Sequence, residues 1–563
     1  MSDKRTGITV FSGGTAANSL VDVFNRIIEK KNCQLNYIIP ISDNGGSSSE
    51  LIRFIGGPSV GDIRSRLVRL IPNPSNDQEK AALKALFEYR LPGDPSKARN
   101  EWLDIVEARH LLWAYISSPK RELIRSILNT LNLEIVKRAR PTSTFNFAEA
   151  SIGNMFLTGA RIFSGSFESA IYLLSMICSI PPNVNVLPAI NSNFTHHISA
   201  GLEDGTTIAG QVAISHPSAP TALPDDVKIS LATPSFPPLL HGGHGHGAPS
   251  FSSAAALHPA AMASIHNSNP PTQHLAVPFS IPTSTTSTAS SSSLTTTPTK
   301  SSFPSLPSRP GPRARSQTET EDASLPGSLP SLRKQNISFS KSDSDEADQL
   351  SARIERVWYI NPYGHEIWPN ANPKVIDALV ARTKMVVYSI GSLWTSIVPS
   401  LVLRGVGEAI AGDVEGEEEE EGGEGGKVKK VLVLNATIDR ETGPKTKPMT
   451  ATDFARAVAK AGEQSRRSDP HYHAQSEDNG SIDDEQEEGR LLRRYVTHLI
   501  YLEGQELGGR LARTGNAPKV DVTELEGLGI KCVRVEGRVQ EDGKEVRYDE
   551  RGLGEALEGI IDE

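Results

Sequence analysis

Two glycine-rich loops carry residue types and spacing that suit the binding of a phosphate group. One follows the apolar run ITVFS, the other follows LNYIIPIS, and each leads into a helical pattern. The start of a helix presents backbone N–H groups and the positive end of the helix dipole to one point. Glycine in such a loop lets the backbone approach an anion closely. The predicted ligand-binding residues of the two loops are Gly13, Gly14, Thr15 and Asn18, and Asn44, Gly45, Gly46 and Ser47.

A capped structural turn uses the same residue types, so neither loop is specific for a ligand by itself. Thr15 could cap the first helix as well as donate its hydroxyl to a phosphate. Neither loop has the Walker lysine pattern or the GxGxxG pattern. This counts against an ordinary nucleoside triphosphatase and against a dinucleotide-binding protein.

Asp43 stands at the carboxyl end of the second predicted strand, where open α/β sheets place ligand-contacting groups. We predict it as a catalytic residue and as the carboxylate that binds a metal or substrate. An Asx turn before Gly45 and Gly46 would also explain an aspartate here.

The motif GDIR precedes SRLVRL at helical spacing and contains a second acidic candidate. We predict Asp62 as a catalytic residue and as the cap of this helix. Arg64 or Arg66 could reach a phosphate by a bidentate contact. For the arginines alone, the residues favour a surface helix with salt bridges instead.

Further candidates lie in three later segments. Gly153 and Asn154 occur inside the apolar helix FAEASIGNMFLTGA, where glycine costs about 0.5 to 1 kcal/mol relative to alanine and therefore suggests a close approach. A helix crossing explains this pair as well as a ligand does. The runs KMVVYSIGSLWTS and KVLVLNAT repeat the pattern of strand, loop and polar residues, which suggests a second half of the crevice. Their predicted binding residues are Gly391, Ser392, Thr395 and Asn435.

Strand and helix patterns alternate around these residues. The alternation predicts an α/β, Rossmann-like three-layer fold with a mostly parallel sheet and a helix-rich segment. Asp204-Gly205 between two alternating runs predicts a β-hairpin, and His196 and His197 at its start receive no role. The predicted helices of the helix-rich segment are Gln78 to Arg90, Trp102 to Ile116, Lys120 to Arg138 and Asn146 to Ile180.

Composition divides the chain into ordered parts and spacers. Few aromatic residues occur between positions 217 and 350, so this stretch cannot bury enough apolar area to fold. The predicted divisions are 1–216, the first part of an α/β domain; 217–350, a large disordered insertion rich in Ser, Thr and Pro; 351–463, the second part of the domain with an acidic loop at 413–426; 464–490, an acidic disordered loop; and 491–563, a C-terminal α/β segment that completes the domain.

The net charge of −9 gives no basic footprint, which argues against a nucleic-acid partner. The three cysteines are far apart and form no zinc-ligand pattern. We find no targeting peptide pattern and no apolar run near the ~20 residues that span a bilayer. We therefore expect a cytoplasmic protein without a membrane partner, and we leave a homo-oligomer open.

Several ordered motifs together resemble those of the CofD/YvcK family. They are SGGTAANSL, SDNGGSSSELIR, GPSVGDIRSRLVRL, LFEYRL, SIGNMFL, IGSLWTSIVPSLV and VLNATIDRETG. This family includes the 2-phospho-L-lactate transferases and the bacterial gluconeogenesis factors that bind nucleotide sugars. The chain resembles a eukaryotic-type member with long insertions.

The resemblance implies a transferase of substituted phosphate groups that uses a nucleoside-diphospho donor, an acceptor hydroxyl and Mg²⁺. Asp43 would hold the metal or orient the acceptor. Members of the family usually have a second aspartate where this chain has Asn44, and this loss of charge weakens the case for Mg²⁺. The alternative is a non-catalytic regulatory protein that binds a nucleotide sugar. Both predict a nucleoside-diphosphate-linked small molecule as the ligand.

Overall fold

The computed structural model describes residues 6–14, 16–42, 45–72, 77–215, 350–412, 427–467, 484–503, 506–507, 510–511, 517–539 and 546–563. Within them, eight strands form one sheet in the order β3-β2-β1-β8-β9-β10-β13-β14. The strands are β1 (Gly7–Phe11), β2 (Leu35–Ile39), β3 (Val184–Pro188), β4 (His197–Leu202), β5 (Thr207–Ala209), β6 (Ile354–Ile360), β7 (Glu366–Ile367), β8 (Thr383–Tyr388), β9 (Lys429–Val433), β10 (His498–Glu503), β11 (Glu506–Leu507), β12 (Arg510–Leu511), β13 (Lys531–Val539) and β14 (Val546–Tyr548).

Helices flank this sheet. They are α1 (Val21–Lys31), α2 (Gly46–Ile55), α3 (Gly61–Arg69), α4 (Gln78–Glu88), α5 (Pro95–Val106), α6 (Ser118–Arg138), α7 (Ile152–Ser164), α8 (Phe167–Ile177), α9 (Gln211–Ser215), α10 (Pro373–Asp377), α11 (Val398–Leu401), α12 (Val406–Ala411), α13 (Ala451–Arg467), α14 (Asp484–Tyr495), α15 (Val522–Gly527) and α16 (Glu550–Asp562). Shorter 3₁₀ turns span Ala16–Leu20, Leu111–Trp113 and Arg440–Thr442, and π-helical turns span Ala378–Arg382 and Leu393–Ile397.

Neighbouring strands of the large sheet run parallel, apart from the antiparallel pair of β13 and β14. Every residue of β1 and β2 is buried, as continuous apolar strands covered by helices on both faces should be. The predicted α/β fold with a mostly parallel sheet is therefore confirmed.

The chain order reverses between β1 and β8. From β1 the sheet grows one way through β2 and β3, and from β8 it grows the other way through β9 and β10. In open parallel sheets such a reversal leaves a crevice outside the carboxyl ends of the two strands. Loops 12–14 and 389–392 leave the sheet at this point.

A second, antiparallel sheet has the order β5-β4-β6-β7 and contains the predicted hairpin. Its central pair joins β4 to β6, which stand on either side of residues 216–349 in the chain. The stretch predicted as an insertion, 217–350, lies outside the described residues except for Leu350. The acidic loop 413–426 and residues 468–483 of the second acidic loop also lie outside them.

Some predicted elements differ from the observed ones. The helix expected from Asn146 to Ile180 is two helices, α7 and α8, separated at Gly165 with φ of 72°. The helix expected from Trp102 begins earlier, at Pro95, because Asp94 accepts the N–H of Lys97 and Pro95 suits a first helical position. No helix of the described residues is long and apolar enough to cross a membrane.

Candidate functional site

The glycine loops after β1 and β8 touch each other at the point where the strand order reverses. A Cβ added to Gly13 would lie 2.9 Å from the Cβ of Ser396, so a side chain has no room there. On the opposite loop, Gly391 has φ of 130°, and a Cβ on it would lie 3.6 Å from the Cβ of Ala16. Glycine is required at Gly391 by conformation and at Gly13 by close packing.

Gly14 packs against α3 in the same way. A Cβ on Gly14 would lie 2.8 Å from the Cα of Asp62, and the Gly14 N–H donates to the Asp62 carboxylate. Burial raises the pKa of Asp62, while this hydrogen bond and the nearby charges of Arg66 and Arg64 oppose the rise. Asp62 therefore ties α3 to the first glycine loop.

The predicted capping role of Asp62 is wrong. Helix α3 begins at Gly61, so Val60 occupies the cap position and no side chain accepts a hydrogen bond there. Asp62 is the second residue of the helix, and its carboxylate points to the loop after β1 instead. Sequence spacing alone could not show this, because the exact first residue of a helix depends on the loop before it.

Arg66 fastens the first glycine loop from inside the protein. Its guanidinium donates to the Ala17 carbonyl at 3.2 Å, to Ser12 Oγ at 3.2 Å and to the Gly13 carbonyl at 3.1 Å. It also lies over the ring of Tyr37, 4.3 Å from the centroid. Arg66 is fully buried, so the expectation of a surface arginine is wrong for this residue.

Arg64 joins α3 to α2 and α7 through Asn154. Arg64 Nε donates to Asn154 Oδ1 at 3.1 Å, and the Asn154 amide donates to Ser48 Oγ at 3.4 Å. Burial, with a smaller effect of the Arg90 charge, lowers the pKa of Arg64 to about 10. The guanidinium thus stays charged at neutral pH.

Gly153 explains how α7 comes so near to Arg64. A Cβ on Gly153 would lie 2.5 Å from the Phe87 carbonyl oxygen and 2.7 Å from Arg64 Cγ. The close approach expected from this glycine is present, and the neighbours that require it are protein atoms. Asn154 itself is buried beside them.

Asn435 connects the end of β9 to the loop after β8. Its amide oxygen accepts the Gly391 N–H at 2.9 Å, and its amide nitrogen donates to the Gly391 carbonyl at 2.7 Å. These two hydrogen bonds, both made by the Asn435 side chain, fix the backbone of Gly391 at its positive φ. Asparagine suits the position because it both donates and accepts.

A buried carboxylate that sequence reasoning missed holds the helical turn that follows. Glu441 accepts the Thr395 hydroxyl at 2.7 Å and the Trp394 N–H at 3.1 Å, while the Ser392 and Thr395 hydroxyls lie 2.6 Å apart. Burial and the neighbouring charge of Asp439 raise the pKa of Glu441 to about 7. Burial also raises the pKa of Asp439 to about 6. The motif VLNATIDRETG contains both acids, but their shared burial is visible only in the fold.

Three helices that begin at this edge have no side chain that caps them. The residues before α2, α3 and α7 are Gly45, Val60 and Ser151, and none accepts a hydrogen bond through its side chain. Asp and Ser side chains cap α4, α5 and α8, while α1 and α6 also begin without a side-chain cap. Uncapped helix starts grouped around one crevice suit an anionic ligand.

The remaining predicted residues have different positions. Asn18 donates from its amide to Ser65 Oγ at 2.8 Å, and its buried Oδ1 has no hydrogen-bond partner. Gly46 and Ser47 form the first turn of α2. Thr15, Asp43 and Asn44 lie outside the described residues. Among the described residues, no group of three or more His, Cys, Asp or Glu side chains could hold a metal ion.

The fold and this edge define a doubly wound α/β protein with a crevice between β1 and β8, built from two glycine loops and several helix starts. A family model described as 2-phospho-L-lactate transferase CofD matches residues 8–483. The chain belongs to the CofD family, as its motifs predicted.

The chain is also similar to individual proteins. Uncharacterized protein YNL011C of Saccharomyces cerevisiae is 34% identical over 532 residues, which cover 94% of this chain and 95% of that protein. A protein of Aquifex aeolicus provisionally named gluconeogenesis factor is 32% identical over 212 residues, 38% of this chain and 46% of that protein. The crystal structure of protein BH3568 from Bacillus halodurans aligns with a TM-score of 0.48 and 14% identity over 98% of this chain and 99% of that one.

Proposed function

We propose that the chain binds a nucleoside-diphosphate-linked small molecule in the crevice between β1 and β8 and transfers a substituted phosphate group from it to an acceptor hydroxyl. The observation that supports this most is the close approach of the first glycine loop to the segment after β8, where Gly13 has no room for a side chain and packs against Ser396 of the π-helical turn Leu393–Ile397. A diphosphate needs two adjacent sets of N–H and hydroxyl donors. The loops at Gly13 and Ser392 would supply one set each.

The loops are held before any ligand arrives, which favours binding. Arg66 fixes the first loop through the Gly13 carbonyl, and Asn435 fixes the second through Gly391. The charge of Arg64, which the fold keeps beside Asp62, adds attraction for an anion. Positioning and charge neutralisation are the main needs of phosphoryl transfer.

In the proposed reaction, the acceptor oxygen attacks the phosphorus next to the substituent. The bond from this phosphorus to the nucleoside monophosphate breaks, and the monophosphate leaves with the electron pair. The proton of the acceptor hydroxyl passes to a carboxylate, for which Asp43 and Asp62 are the candidates. The raised pKa of Asp62 makes it a better proton acceptor than an exposed aspartate.

Mg²⁺ is part of the proposal as a partner of the substrate phosphates. Such ions keep several waters and use one or two protein carboxylates, so a cluster of acids is not required. Asp43 is the residue that would hold it, and Asp62 is the described carboxylate at the first glycine loop. When bound, the ion would neutralise charge on the phosphates.

A thermal-shift screen with nucleoside diphosphates and their conjugates, with and without Mg²⁺, tests the binding. A ligand at 100 times its dissociation constant should raise the free energy of unfolding by about 2.7 kcal/mol. Asp43→Ala should remove the Mg²⁺-dependent part, and Asn44→Asp, which restores the second aspartate, should increase it. Absence of stabilisation by every nucleotide would refute the proposal.

The second candidate is a regulatory protein that binds a nucleotide sugar without turnover. Asn44 in place of a second aspartate supports it, and so does the name of the Aquifex aeolicus relative. An assay distinguishes the regulatory protein from the transferase: it measures release of nucleoside monophosphate from the bound conjugate in the presence of Mg²⁺ and an alcohol. Saturable binding with no release supports the regulatory protein.

A further inference from the structure

A second polar cluster lies beside the crevice, at the carboxyl end of β2. Tyr359 of β6 donates its hydroxyl to the Pro399 carbonyl at 3.0 Å and also lies against the side chain of Ser42. The ring of His196 packs edge-on against Tyr359, with 6.1 Å between centroids. Pro399 is three residues beyond Ser396, which packs on Gly13. Tyr359 and Pro399 therefore connect the cluster to the helical segment that packs on Gly13.

The loop from Gly56 to Ser59 completes this cluster and is held at several points. The Gly56 carbonyl accepts from Arg161 Nη2 at 2.7 Å, and the Gly57 carbonyl accepts from the Thr195 hydroxyl at 2.8 Å. The Ser59 N–H donates to the Ile41 carbonyl at 3.2 Å, which fixes the loop to the end of β2. Thr195 is next to His196 in the chain, so the same contacts bring His196 to Ser59's loop.

Three polar atoms of this fixed cluster are buried without a hydrogen-bond partner. They are Ser42 Oγ, Ser59 Oγ, in a residue only 3% exposed, and His196 Nε2. Buried polar atoms in native proteins are nearly always paired, so such atoms in a rigid loop need an explanation. A group prepared in advance for a ligand is one explanation that the position beside the crevice supports.

The chemistry of the cluster selects a neutral ligand group. Burial lowers the pKa of His196 to about 4, so the imidazole is uncharged at neutral pH and offers one N–H and one lone pair. Ser59 adds a hydroxyl. Arg161, the cation that reaches the loop, already donates to Gly56. A hydroxyl group, which both donates and accepts, matches these partners.

We infer that Ser59 and His196 form a subsite that hydrogen-bonds a hydroxyl of the substituent carried by the bound nucleoside diphosphate. The inference rests on the proposed function, because it takes the diphosphate to lie between the loops at Gly13 and Ser392. The subsite would recognise the substituent, whereas the two glycine loops would bind only the diphosphate. It also gives a role to His196, for which the sequence provided none.

Isothermal titration calorimetry with uridine diphosphate and uridine diphosphate glucose, and with the guanosine diphosphate and mannose pair, tests the subsite. Ser59→Ala and His196→Gln should each weaken binding of the sugar conjugate about 3- to 10-fold, as expected for loss of one neutral hydrogen bond. Affinity for the bare diphosphate should not change. Thr452→Val, which removes a buried unpartnered hydroxyl from α13, is the matched control and should change neither affinity.

The outcomes are distinct. Unchanged conjugate affinity in both variants, or an equal loss for conjugate and bare diphosphate, would overturn the subsite while leaving the proposed function intact. Failure of the unsubstituted chain to bind any of the four nucleotides would overturn the proposed function and the subsite with it. Ser59→Ala removes only an unsatisfied oxygen, so its melting temperature should equal or exceed that of the parent. A lower melting temperature would show that the hydroxyl is structural.

Discussion

Glu441 offers a test of how the turn after β8 is held, because its buried carboxylate bonds two groups of that turn. Glu441→Gln removes the charge with little change in size. The amide oxygen can still accept the Thr395 hydroxyl, but the amide nitrogen cannot accept the Trp394 N–H. The variant therefore loses one hydrogen bond at every pH and is relieved of a buried charge at high pH.

The size of the effect follows from the pKa. Burial and the Asp439 carboxylate raise the pKa of Glu441 from 4.5 to about 7. The protonated form is thus favoured in the folded state, so its contribution is complete below pH 4.5 and is lost as the pH rises through 7. The difference, 7 minus 4.5, corresponds to about 3 kcal/mol. The lost hydrogen bond costs about 1 to 3 kcal/mol at all pH values.

Urea unfolding from pH 5 to 8.5, followed by tryptophan fluorescence, measures both the cost of the lost hydrogen bond and the pH-dependent change in stability. We expect the Gln variant to be less stable than the parent at pH 5 and to recover by about 3 kcal/mol toward pH 8.5. Because Asp439 has a raised pKa as well, the recovery belongs to the pair and should spread over pH 5 to 8.

Glu463→Gln is the matched control, since Glu463 is also partly buried and hydrogen-bonded. Burial favours its neutral form, but hydrogen bonds from Tyr495 and Arg494 outweigh this and hold its pKa below the usual value. Its contribution is lost only as the pH falls through that low value, so the cost of the substitution should be constant above pH 5. A Glu441→Gln curve that runs parallel to the parent over the same range would refute the reasoning.

Three further predictions concern the loops. Gly14→Ala should cost about 1 to 3 kcal/mol of unfolding free energy in urea, because the new Cβ would meet the backbone of α3, whereas Gly93→Ala, with only a side-chain atom at 3.7 Å, should be near neutral. Asn435→Asp keeps the acceptor for the Gly391 N–H but loses the donor to its carbonyl; it should cost about 1 to 3 kcal/mol by the same measurement and weaken nucleotide binding in calorimetry. Arg66→Met leaves three buried acceptors without a donor and should lower the unfolding free energy by about 3 to 5 kcal/mol, and a loss below 1 kcal/mol would contradict the bracing role.

Strands with continuous apolar, β-branched residues were predictable from the sequence. β1, β2, β8 and β9 all have this pattern and form the centre of the sheet. β3 was missed because its sequence, VNVLP, is short, is interrupted by Asn185 and ends in proline, although four of its five residues are buried. Asn185 donates to Asn36 Oδ1 at 2.9 Å. The local sequence pattern thus identifies long apolar strands well, but it identifies a short strand that contains asparagine and proline poorly.

The site was predictable in part for a similar reason. Glycine loops are visible in a sequence because close approach and positive φ require glycine, as Gly13 and Gly391 illustrate. Glu441 was missed, and the burial of Arg66 was not expected, because charged residues are exposed by default; only tertiary contacts reveal that these two are buried. The loops are thus recognised locally, while the side chains that hold them are not.

Glu441 and Asp62 share one physical logic. Asp62 accepts the Gly14 N–H, and Glu441 accepts the Trp394 N–H, so each carboxylate occupies a donor that a phosphate would need. Burial raises both pKa values, which makes the charged forms costly where they stand. A phosphate that entered the crevice would raise them further, since like charges oppose ionisation. For Glu441, whose pKa is about 7 before any ligand binds, protonation then converts a competitor for the Trp394 N–H into a donor to the phosphate. Binding of a diphosphate here should therefore take up protons near neutral pH, and calorimetry in buffers of different ionisation enthalpy would detect the uptake; binding without it would contradict this account of the acids.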